Sequence, residues 1–458
     1  TPLYSSAASD VYKRQAYRGT FGLSSGKWYW EIYMITVGAA ANCRTGICKT
    51  NTWGSSSGTG PVDMGVSWTY DGDGQKTIPG STGAYGATYT AGDIVGVALD
   101  MDAGTITFYK NNATQGEMAS GITDEVAPLV AEGNGSYQFD SIANFGQDSS
   151  FAGVKTAQGN QDGNSKGDFY YEPPSGFLAL CTDNLSDPEI KLPGENFNTI
   201  LYDDGAGAKT GVGFQPDLVW VKSRGSAYDH KLTDSVRGVT KAFSSNLVDP
   251  EVTDSTGLTA FGADGFTVGA DTDYSDTTGD GMVAWNWKAG GAASTNEDGS
   301  QDSEVSANPT AGFSIVSFLA GPAAAPPAGN MTMGHGLSQA PTMIIVKDRD
   351  RDYGSNVYQA DVCTDGEGRL ILNSTDDYDS ISLPFGGVVP TSSVFTFNNG
   401  FGSTENDDII AYCFHSVEGY SKVGSYEGNG NADGAFIYTE FKPAYFMFKQ
   451  TDGADDWF

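Results

Sequence analysis

Hydrophobic and polar residues alternate with a period of two through much of the chain, and this pattern predicts β-strands. The clearest case is residues 92–112 (GDIVGVALDMDAGTITFYKNN), in which Val95, Val97 and Leu99 alternate with smaller residues. The alternation resumes after Asp100–Gly104, where Asp and Gly favour a tight turn. We therefore predict a hairpin with one face in a core. Because no long stretch has helical periodicity, we expect an all-β protein.

This hairpin resembles the signature of SPRY (B30.2-type) domains, which is close to G-D-x-[IV]-G-x-x-x-D-x-x-x-G-x-[IL]-x-F-x-x-N. Residues 92–112 meet every fixed position of that pattern. Flanking blocks resemble other SPRY strands in the family order: GKWYWEIYM (26–34), MGVSWTYDGDG (64–74), APLVAEGNG (127–135) and ANFGQDSSF (143–151). The resemblance implies an antiparallel β-sandwich over residues 16–155, and it implies a binding module rather than an enzyme.

Three similar segments in the second half of the chain indicate tandem copies of one β-rich, sandwich-like domain. Each has a Pro, a short apolar strand and a Lys: FQPDLVWVK (214–222), QAPTMIIVK (339–347) and FKPAYFMFK (441–449). We predict a linker at 156–194, repeat domains at 195–310 and 311–424, and the truncated start of a third copy at 425–458. These copies resemble a repeated domain of structural proteins of tailed bacteriophages, especially marine ones.

The two ends of the sequence suggest that it is a fragment. Residues 1–15 include SAASDVYKRQ, which has no relation to the strand pattern and resembles a translated adapter remnant of metagenomic reading frames. We expect this leader not to be native. The sequence stops inside the expected third copy, so we expect the natural chain to continue.

The net charge of the chain argues against some classes of binding partner. The 458 residues carry a formal net charge of −32, which argues against binding to nucleic acid or to anionic membranes. No apolar run approaches the roughly 18 residues of a membrane span. Five scattered cysteines, without a C-x-x-C pair, favour buried thiols over a disulfide scaffold or a zinc site.

The sequence has no recognisable catalytic motif. Its three histidines are His230, His335 and His415, and none lies in the SPRY-like region, so that region cannot hold a Ser-His-Asp triad. Paired carboxylates for glycoside hydrolysis are possible by residue type, but no pair stands out among 57 acidic residues. We therefore expect a protein that is not an enzyme.

Asp-rich loops are candidates for a calcium site, although turn formation is the ordinary role of Asp-Gly sequences. The leading candidates are Asp71 and Asp73 in YDGDG, and a second loop holds Asp273, Asp276 and Asp280. Neither loop matches the EF-hand pattern. Calcium is therefore the one cofactor that we consider, and the chain requires none by its motifs.

Aromatic residues in Gly/Ser/Thr-rich segments are the candidate ligand-binding residues. Trp53, Tyr85 and Tyr89 could present rings that stack on a sugar or hold a peptide, or they could be partly buried under loops. By contrast, the strand pattern places Trp28, Trp30, Trp68, Trp285 and Trp287 in cores.

These observations lead us to expect a phage virion protein, a tail-fibre or tail-associated adhesin. Its SPRY-like domain would bind a host-surface glycan or protein, and it would contact other virion proteins, with homo-oligomers possible. The alternative is a lectin-like or peptide-binding module of a bacterial secreted or cell-surface protein. An intracellular peptide-binding adaptor, the usual role of SPRY domains in eukaryotes, is a third hypothesis.

Overall fold

In a computed structural model of the chain, β-strands account for nearly all of the regular secondary structure of the described residues. The residues that it describes are 16–19, 21–38, 40, 43–50, 66–132, 139–185, 188–203, 205–276, 279, 281–322, 327–399, 403–428, 430, 437–439 and 441–458. Within them, the helical element with assigned bounds is a 3-10 turn at Pro193–Glu195, and no helix is long and apolar enough to cross a membrane. The all-β prediction is confirmed.

The described residues divide into two compact units. The first comprises those within 1–187 and 426–440, and the second comprises those within 188–425 and 441–458. The strands of the first unit are β1 (Ala16–Arg18), β2 (Lys27–Val37), β3 (Cys43–Lys49), β4 (Ser67–Asp71), β5 (Gln75–Ile78), β6 (Ser81–Ala84), β7 (Ile94–Asp100), β8 (Thr105–Lys110), β9 (Ala113–Ala119), β10 (Val126–Glu132), β11 (Phe139–Asn144) and β12 (Leu178–Ala179).

The first unit has two antiparallel sheets, as the SPRY resemblance implies. One sheet has the order β1-β10-β3-β4-β5-β6 and the other has the order β11-β2-β7-β8-β9, with β12 added parallel to β2. The predicted hairpin is β7–β8, in which Val97 pairs with Phe108. Both side chains are buried in the core of the first unit, together with Trp30. The alternation in the sequence therefore identified the inward-facing side chains correctly.

The predicted linker at 156–194 begins as part of the first unit rather than as a free connection. Phe169 is fully buried and packs edge-on against Tyr29. The backbone N–H groups of Tyr170 (2.9 Å) and Tyr171 (2.8 Å) donate to the buried carboxylate of Glu31 on β2. This carboxylate satisfies two backbone donors at once, and so it ties the segment to the sandwich.

The second unit contains β13 to β30. They are β13 (Phe197–Tyr202), β14 (Gly207–Thr210), β15 (Leu218–Ser223), β16 (Lys231–Asp234), β17 (Lys241–Ser244), β18 (Val252–Thr253), β19 (Leu258–Gly262), β20 (Gly265–Val268), β21 (Met282–Trp287), β22 (Ser294–Asn296), β23 (Ser303–Asn308), β24 (Phe313–Leu319), β25 (Asn330–Gly334), β26 (Met343–Asp348), β27 (Asn356–Gln359), β28 (Leu370–Ile371), β29 (Val394–Asn398) and β30 (Asp408–Phe414).

Two copies of one topology account for most of these strands. The main sheet of copy 1 contains the order β13-β21-β15-β16-β17, and that of copy 2 contains the matching order β24-β30-β26-β27-β28. Each copy also has a small sheet, β14-β20-β19 in copy 1 and β25-β29 in copy 2. The Pro-containing segments found in the sequence lead into β15 and β26, at the same place in each copy.

The two copies share a core rather than standing apart as separate domains. Leu218 and Trp220 of β15 lie in a core with Ile345 of β26 and Tyr412 of β30. The intervening residues of β15 face the other way, into a core under the small sheet of copy 1. Both faces of each main sheet are therefore covered, and the expected domains 195–310 and 311–424 fall within one compact unit.

A buried polar cluster joins the two copies. The side chain of Arg237 is fully buried and forms ion pairs with Asp234 and with Glu251 (3.2 Å). The Tyr412 hydroxyl of copy 2 donates to Asp234 Oδ2 (2.7 Å) and accepts from Arg237 Nη2 (3.1 Å). Glu251 also binds both Nε (2.9 Å) and Nη2 (3.0 Å) of Arg349 in copy 2. Buried charges are therefore paired across the contact.

The lysine that ends each Pro-containing segment has a structural role. Lys347 is 1% exposed, and burial lowers its pKa to about 8. Its ammonium donates to three backbone carbonyl oxygens, those of Val248 (3.1 Å), Arg351 (2.9 Å) and Tyr353 (2.9 Å). Lys222 and Lys449 also donate to carbonyls of the segments that follow them. In all three Pro-containing segments, the lysine thus holds the backbone that follows it.

Candidate functional site

The first unit presents an uncharged surface where its two sheets end side by side. Strand β6 ends one sheet and β9 ends the other. Residues 79–92 (PGSTGAYGATYTAG) and 111–116 (NNATQG) contain no Asp, Glu, Lys or Arg, although such residues make up 18% of the chain. We call these two segments the neutral rim. Most of their residues are exposed.

Hydrogen bonds connect the two segments of the neutral rim. The Tyr85 hydroxyl donates to the Gly116 carbonyl oxygen (2.5 Å), and Gln115 Oε1 accepts from the Ala87 N–H (2.8 Å). At one end, Lys110 Nζ donates to the Thr88 carbonyl oxygen (2.8 Å). These bonds pre-organise a surface of hydroxyl, amide and backbone groups, which suits hydrogen bonding to an uncharged polar ligand.

An ion pair borders the neutral rim. Asp93 lies 3.3 Å from Lys110 Nζ, and its carboxylate accepts from the Thr90 N–H (2.8 Å) and from Asn111 Nδ2 (2.6 Å). Partial burial opposes ionisation, but these hydrogen bonds and the Lys110 charge together lower the pKa of Asp93. Asn111 in turn accepts from the Ile94 N–H (2.9 Å). The turn between β8 and β9 is therefore fixed to the β7 strand.

The predicted aromatic residues occupy different environments. Tyr89 is fully buried, and its hydroxyl donates to the carbonyl oxygens of Cys43 (2.8 Å) and Tyr70 (2.9 Å), so the expectation of an exposed ring there is wrong. Tyr85 is partly buried against Tyr70 and Phe108. Burial raises the pKa of Tyr85 to about 12. Tyr85 therefore supports the neutral rim from beneath.

Trp53, the third predicted ligand-binding residue, lies outside the described residues. The predicted core tryptophans are described: Trp28, Trp30 and Trp68 are buried in the first unit. Trp285 and Trp287 are partly buried against the core that the two copies share.

The candidate calcium ligands are engaged in other contacts. Asp71 is buried, accepts from the hydroxyls of Thr69 (2.9 Å) and Thr77 (2.9 Å), and lies 3.5 Å from Arg44. Asp73 accepts instead from Gln75. In the described parts of the chain, no three His, Cys, Asp or Glu side chains are grouped to hold a metal ion. The two carboxylates therefore serve the fold around β4 and the following turn.

The second acidic loop is arranged similarly. Asp273 pairs with Lys231 (3.2 Å), and the buried carboxylate of Asp276 accepts a hydrogen bond from Ser223. Asp280 lies outside the described residues. These contacts hold the loop against the main sheet of copy 1.

Burial dominates the surroundings of the histidines and cysteines in the described residues. His335 is buried, accepts from the Leu337 N–H (3.1 Å) and lies 3.1 Å from the Thr391 carbonyl oxygen. Burial lowers the pKa of His230 to about 4. All five cysteines are described as free thiols; four are buried and Cys181 is partly buried.

Sequence reasoning missed Glu31 and Gln115. Glu31 is an acidic residue inside an otherwise apolar and aromatic strand, and that position was the available signal for a buried carboxylate. Besides Tyr170 and Tyr171, it accepts from Asn144 Nδ2 (3.2 Å), within the N-F-G block. Burial raises the pKa of Glu31 despite these hydrogen bonds. The sequence carried no comparable signal for Gln115, because its partner, Ala87, lies 28 residues away in the chain.

Two family models match the chain. The model described as Domain of unknown function (DUF7483) matches residues 192–458, and the model of the SPRY domain matches residues 27–148. The second match covers β2 to β11 and includes the neutral rim. Residues 27–148 are thus a SPRY domain, which indicates a protein-binding module.

Solved structures with similarity to this chain include further SPRY domains. The SPRY domain of human HERC1 is 19% identical over 29% of this chain and 80% of its own, with a TM-score of 0.24. A human SPRY domain is 16% identical over 31% and 93%, with a TM-score of 0.23. Stonustoxin is 23% identical over 26% of this chain and 19% of its own, with a TM-score of 0.22.

Proposed function

The chain belongs to the family of the domain of unknown function DUF7483, and from that premise and the SPRY domain ahead of it we propose a non-enzymatic binding protein. Its ligand binds at the neutral rim, on residues 79–92 and 111–116. The ligand is an uncharged, polar segment of a partner protein.

The observation that supports this proposal is the absence of charge from the neutral rim. On a chain with a net charge of −32, these two segments form a hydrogen-bonded surface without charged side chains, and an uncharged polar ligand is electrostatically matched to such a surface. Exposed Ser, Thr, Gln and backbone groups recognise hydroxyl and amide groups by direct hydrogen bonds. A charged ligand would instead require ionic partners that these segments lack.

We further propose that the partner lies on a host-cell surface and that the chain is part of a phage virion, as a tail-associated adhesin. The resemblance of the tandem copies to domains of tailed-phage structural proteins supports this step. In that setting, the second unit is a spacer or a contact to other virion proteins. The alternative setting is a bacterial secreted or cell-surface protein, in which the same surface binds a glycan.

The test is binding of the labelled full chain to bacterial cell-envelope proteins and to a glycan array. Thr82→Lys and Thr88→Lys place charge on exposed positions of the neutral rim, and Thr156→Lys is the matched control elsewhere on the same unit. We expect both rim variants to lose binding and the control to keep it. Equal binding by all variants would refute the proposed site, and binding confined to the glycan array would favour the lectin-like alternative.

A further inference from the structure

Strand β13 of copy 1 is paired on one side only. It runs antiparallel to β21, with Phe197 opposite Trp287 and Tyr202 opposite Met282. Among the described residues, no strand lies on the other side of β13, which is the end of the main sheet of copy 1. We call this side of β13 the open edge.

Copy 2 shows that the same edge of this topology can be paired. Phe197 of β13 and Phe313 of β24 are equivalent, because they pair with Trp287 and Phe414 at the same place in each copy. In copy 2, the outer side of β24 pairs antiparallel with β23 over residues 304–308. One topology therefore occurs here with its edge strand paired in copy 2 and open in copy 1.

The backbone groups at the open edge belong to every second residue of β13. The Asn196 carbonyl oxygen accepts from the Lys288 N–H (2.9 Å), so the backbone at this position points towards the β21 side. Because the direction alternates along an antiparallel strand, Phe197, Thr199 and Leu201 direct their N–H and C=O groups to the open edge. None of these six groups is hydrogen-bonded to a described residue.

The side chains of the open edge do not protect it against pairing. Residues 196–202 (NFNTILY) contain no charged residue and no proline, the residues that commonly keep an edge strand unpaired. Leu201 is 63% exposed. The equivalent position in copy 2, where β23 pairs with the edge, holds the polar residue Ser317. An exposed leucine beside unpaired backbone groups therefore indicates that another strand covers this edge.

We propose that the open edge pairs antiparallel with the β13 strand of a second copy of this chain, across a twofold axis at Thr199. In this register Thr199 lies opposite its own counterpart, and Phe197 lies opposite Leu201 in both directions. The three free positions are symmetric about the axis, so about six backbone hydrogen bonds form. The two apolar residues lie on one face and cover each other, which makes the strand complementary to itself.

Charge gives this dimer a distinctive dependence on salt. The strand itself is uncharged, but the exposed residues Glu195 and Asp203 lie at its two ends. The proposed register places Glu195 of one copy opposite Asp203 of the other, and like charges in such positions repel. Because salt screens this repulsion, association should strengthen from about 0.05 M to about 0.5 M NaCl. A strand from a basic partner would show the opposite dependence.

Sedimentation velocity of the full chain, from roughly 1 to 200 µM, tests the proposal. One strand pair is a small interface, so we expect a reversible dimer. Thr199→Pro removes an N–H that points away from the sheet, and Leu201→Glu places a charge opposite Phe197. Each should weaken the dimer at least about tenfold. Leu319→Glu is the matched control, because it changes an exposed leucine on β24, whose edge is already paired, and it should dimerise normally.

A cysteine at the axis tests the register. Opposite residues at a hydrogen-bonded position have Cα atoms about 5.5 Å apart, within the range of a disulfide. Oxidised Thr199→Cys should therefore form a covalent dimer, whereas Leu201→Cys and the wild type, whose own cysteines are free thiols, should not.

Thermal unfolding checks that each variant keeps its fold. A chain that stays monomeric at roughly 200 µM overturns the proposal, as does a dimer that Thr199→Pro and Leu201→Glu leave unchanged. Association that weakens with added salt, or cross-linking of Leu201→Cys as readily as Thr199→Cys, also overturns it. The interface lies in the second unit, so these results are independent of binding at the neutral rim.

Discussion

The variant Asp71→Asn tests how a buried carboxylate shapes the stability of the SPRY domain. Asp71 is 4% exposed, at the end of β4, where Thr69 and Thr77 donate hydrogen bonds to it. Burial raises its pKa from 3.8 to about 6, although the neighbouring Arg44 charge and these hydrogen bonds oppose the shift. Burial therefore outweighs the ion pair, and this balance can be measured.

The sign of the effect follows from proton linkage. Between pH 3.8 and about 6, folded molecules hold a proton on Asp71 that the unfolded chain has released. The stability linked to this group is therefore fully present below pH 3.8 and is lost as pH rises through about 6. A shift of about two pKa units corresponds to about 3 kcal/mol. Because asparagine does not ionise, wild-type minus variant stability should fall by about 3 kcal/mol over this window.

Hydrogen exchange measured by mass spectrometry gives this difference locally, from peptides that cover β3 and β4. Free energies of opening for the wild type and for Asp71→Asn are compared from about pH 3.5 to pH 7.5. Asp73→Asn is the matched control, because it removes the neighbouring carboxylate that accepts hydrogen bonds from Gln75. A difference that stays constant, or that grows as pH rises, would refute the reasoning and show that the Arg44 ion pair dominates.

Three further changes test single contacts by denaturant unfolding or hydrogen exchange of the full chain. Tyr412→Phe removes the hydroxyl shared by Asp234 and Arg237, and the second unit should lose about 1–2 kcal/mol. Glu31→Gln replaces the carboxylate that accepts from two backbone N–H groups, so limited proteolysis should cut residues 156–171 faster. The free energy that holds this segment on the first unit should fall by about 1.5–3 kcal/mol. Lys347→Met leaves three carbonyls without their ammonium donor and should cost about 1.5–3 kcal/mol.

For each of these three variants, one result would contradict the expected loss of stability. Tyr412→Phe with unchanged unfolding would mean that the contact between the copies rests on apolar packing alone. Unaltered proteolysis of Glu31→Gln would show that Phe169 holds the segment without the carboxylate. Full stability of Lys347→Met would show that water replaces the ammonium at the three carbonyl groups.

Local patterns predicted the strands of the first unit because their causes are local. Period-two alternation over residues 92–112 marks the buried face of β7 and β8, and the turn residues mark where the hairpin reverses. The burial of Tyr89 could not be predicted from such a local pattern. Its ring is buried because its hydroxyl reaches the carbonyl of Cys43, a contact that spans 46 residues. The Gly- and Thr-rich sequence around Tyr89 predicts a loop, but it does not show that the Tyr89 ring is buried beneath that loop.

Strands β15 and β26 have apolar residues on both faces, and a continuous apolar run, rather than alternation, is what predicts them. LVWV in β15 and MIIV in β26 lack alternation, and a short continuous apolar run is consistent with a strand buried on both sides. The shared core and the small-sheet cores of the two copies provide that burial. YFMF at residues 445–448 has the same character, but only its Tyr445 and Met447 side is covered. The apolar run thus predicts two-sided burial correctly in copies 1 and 2, and in the third segment it agrees with the covered side that holds Tyr445 and Met447.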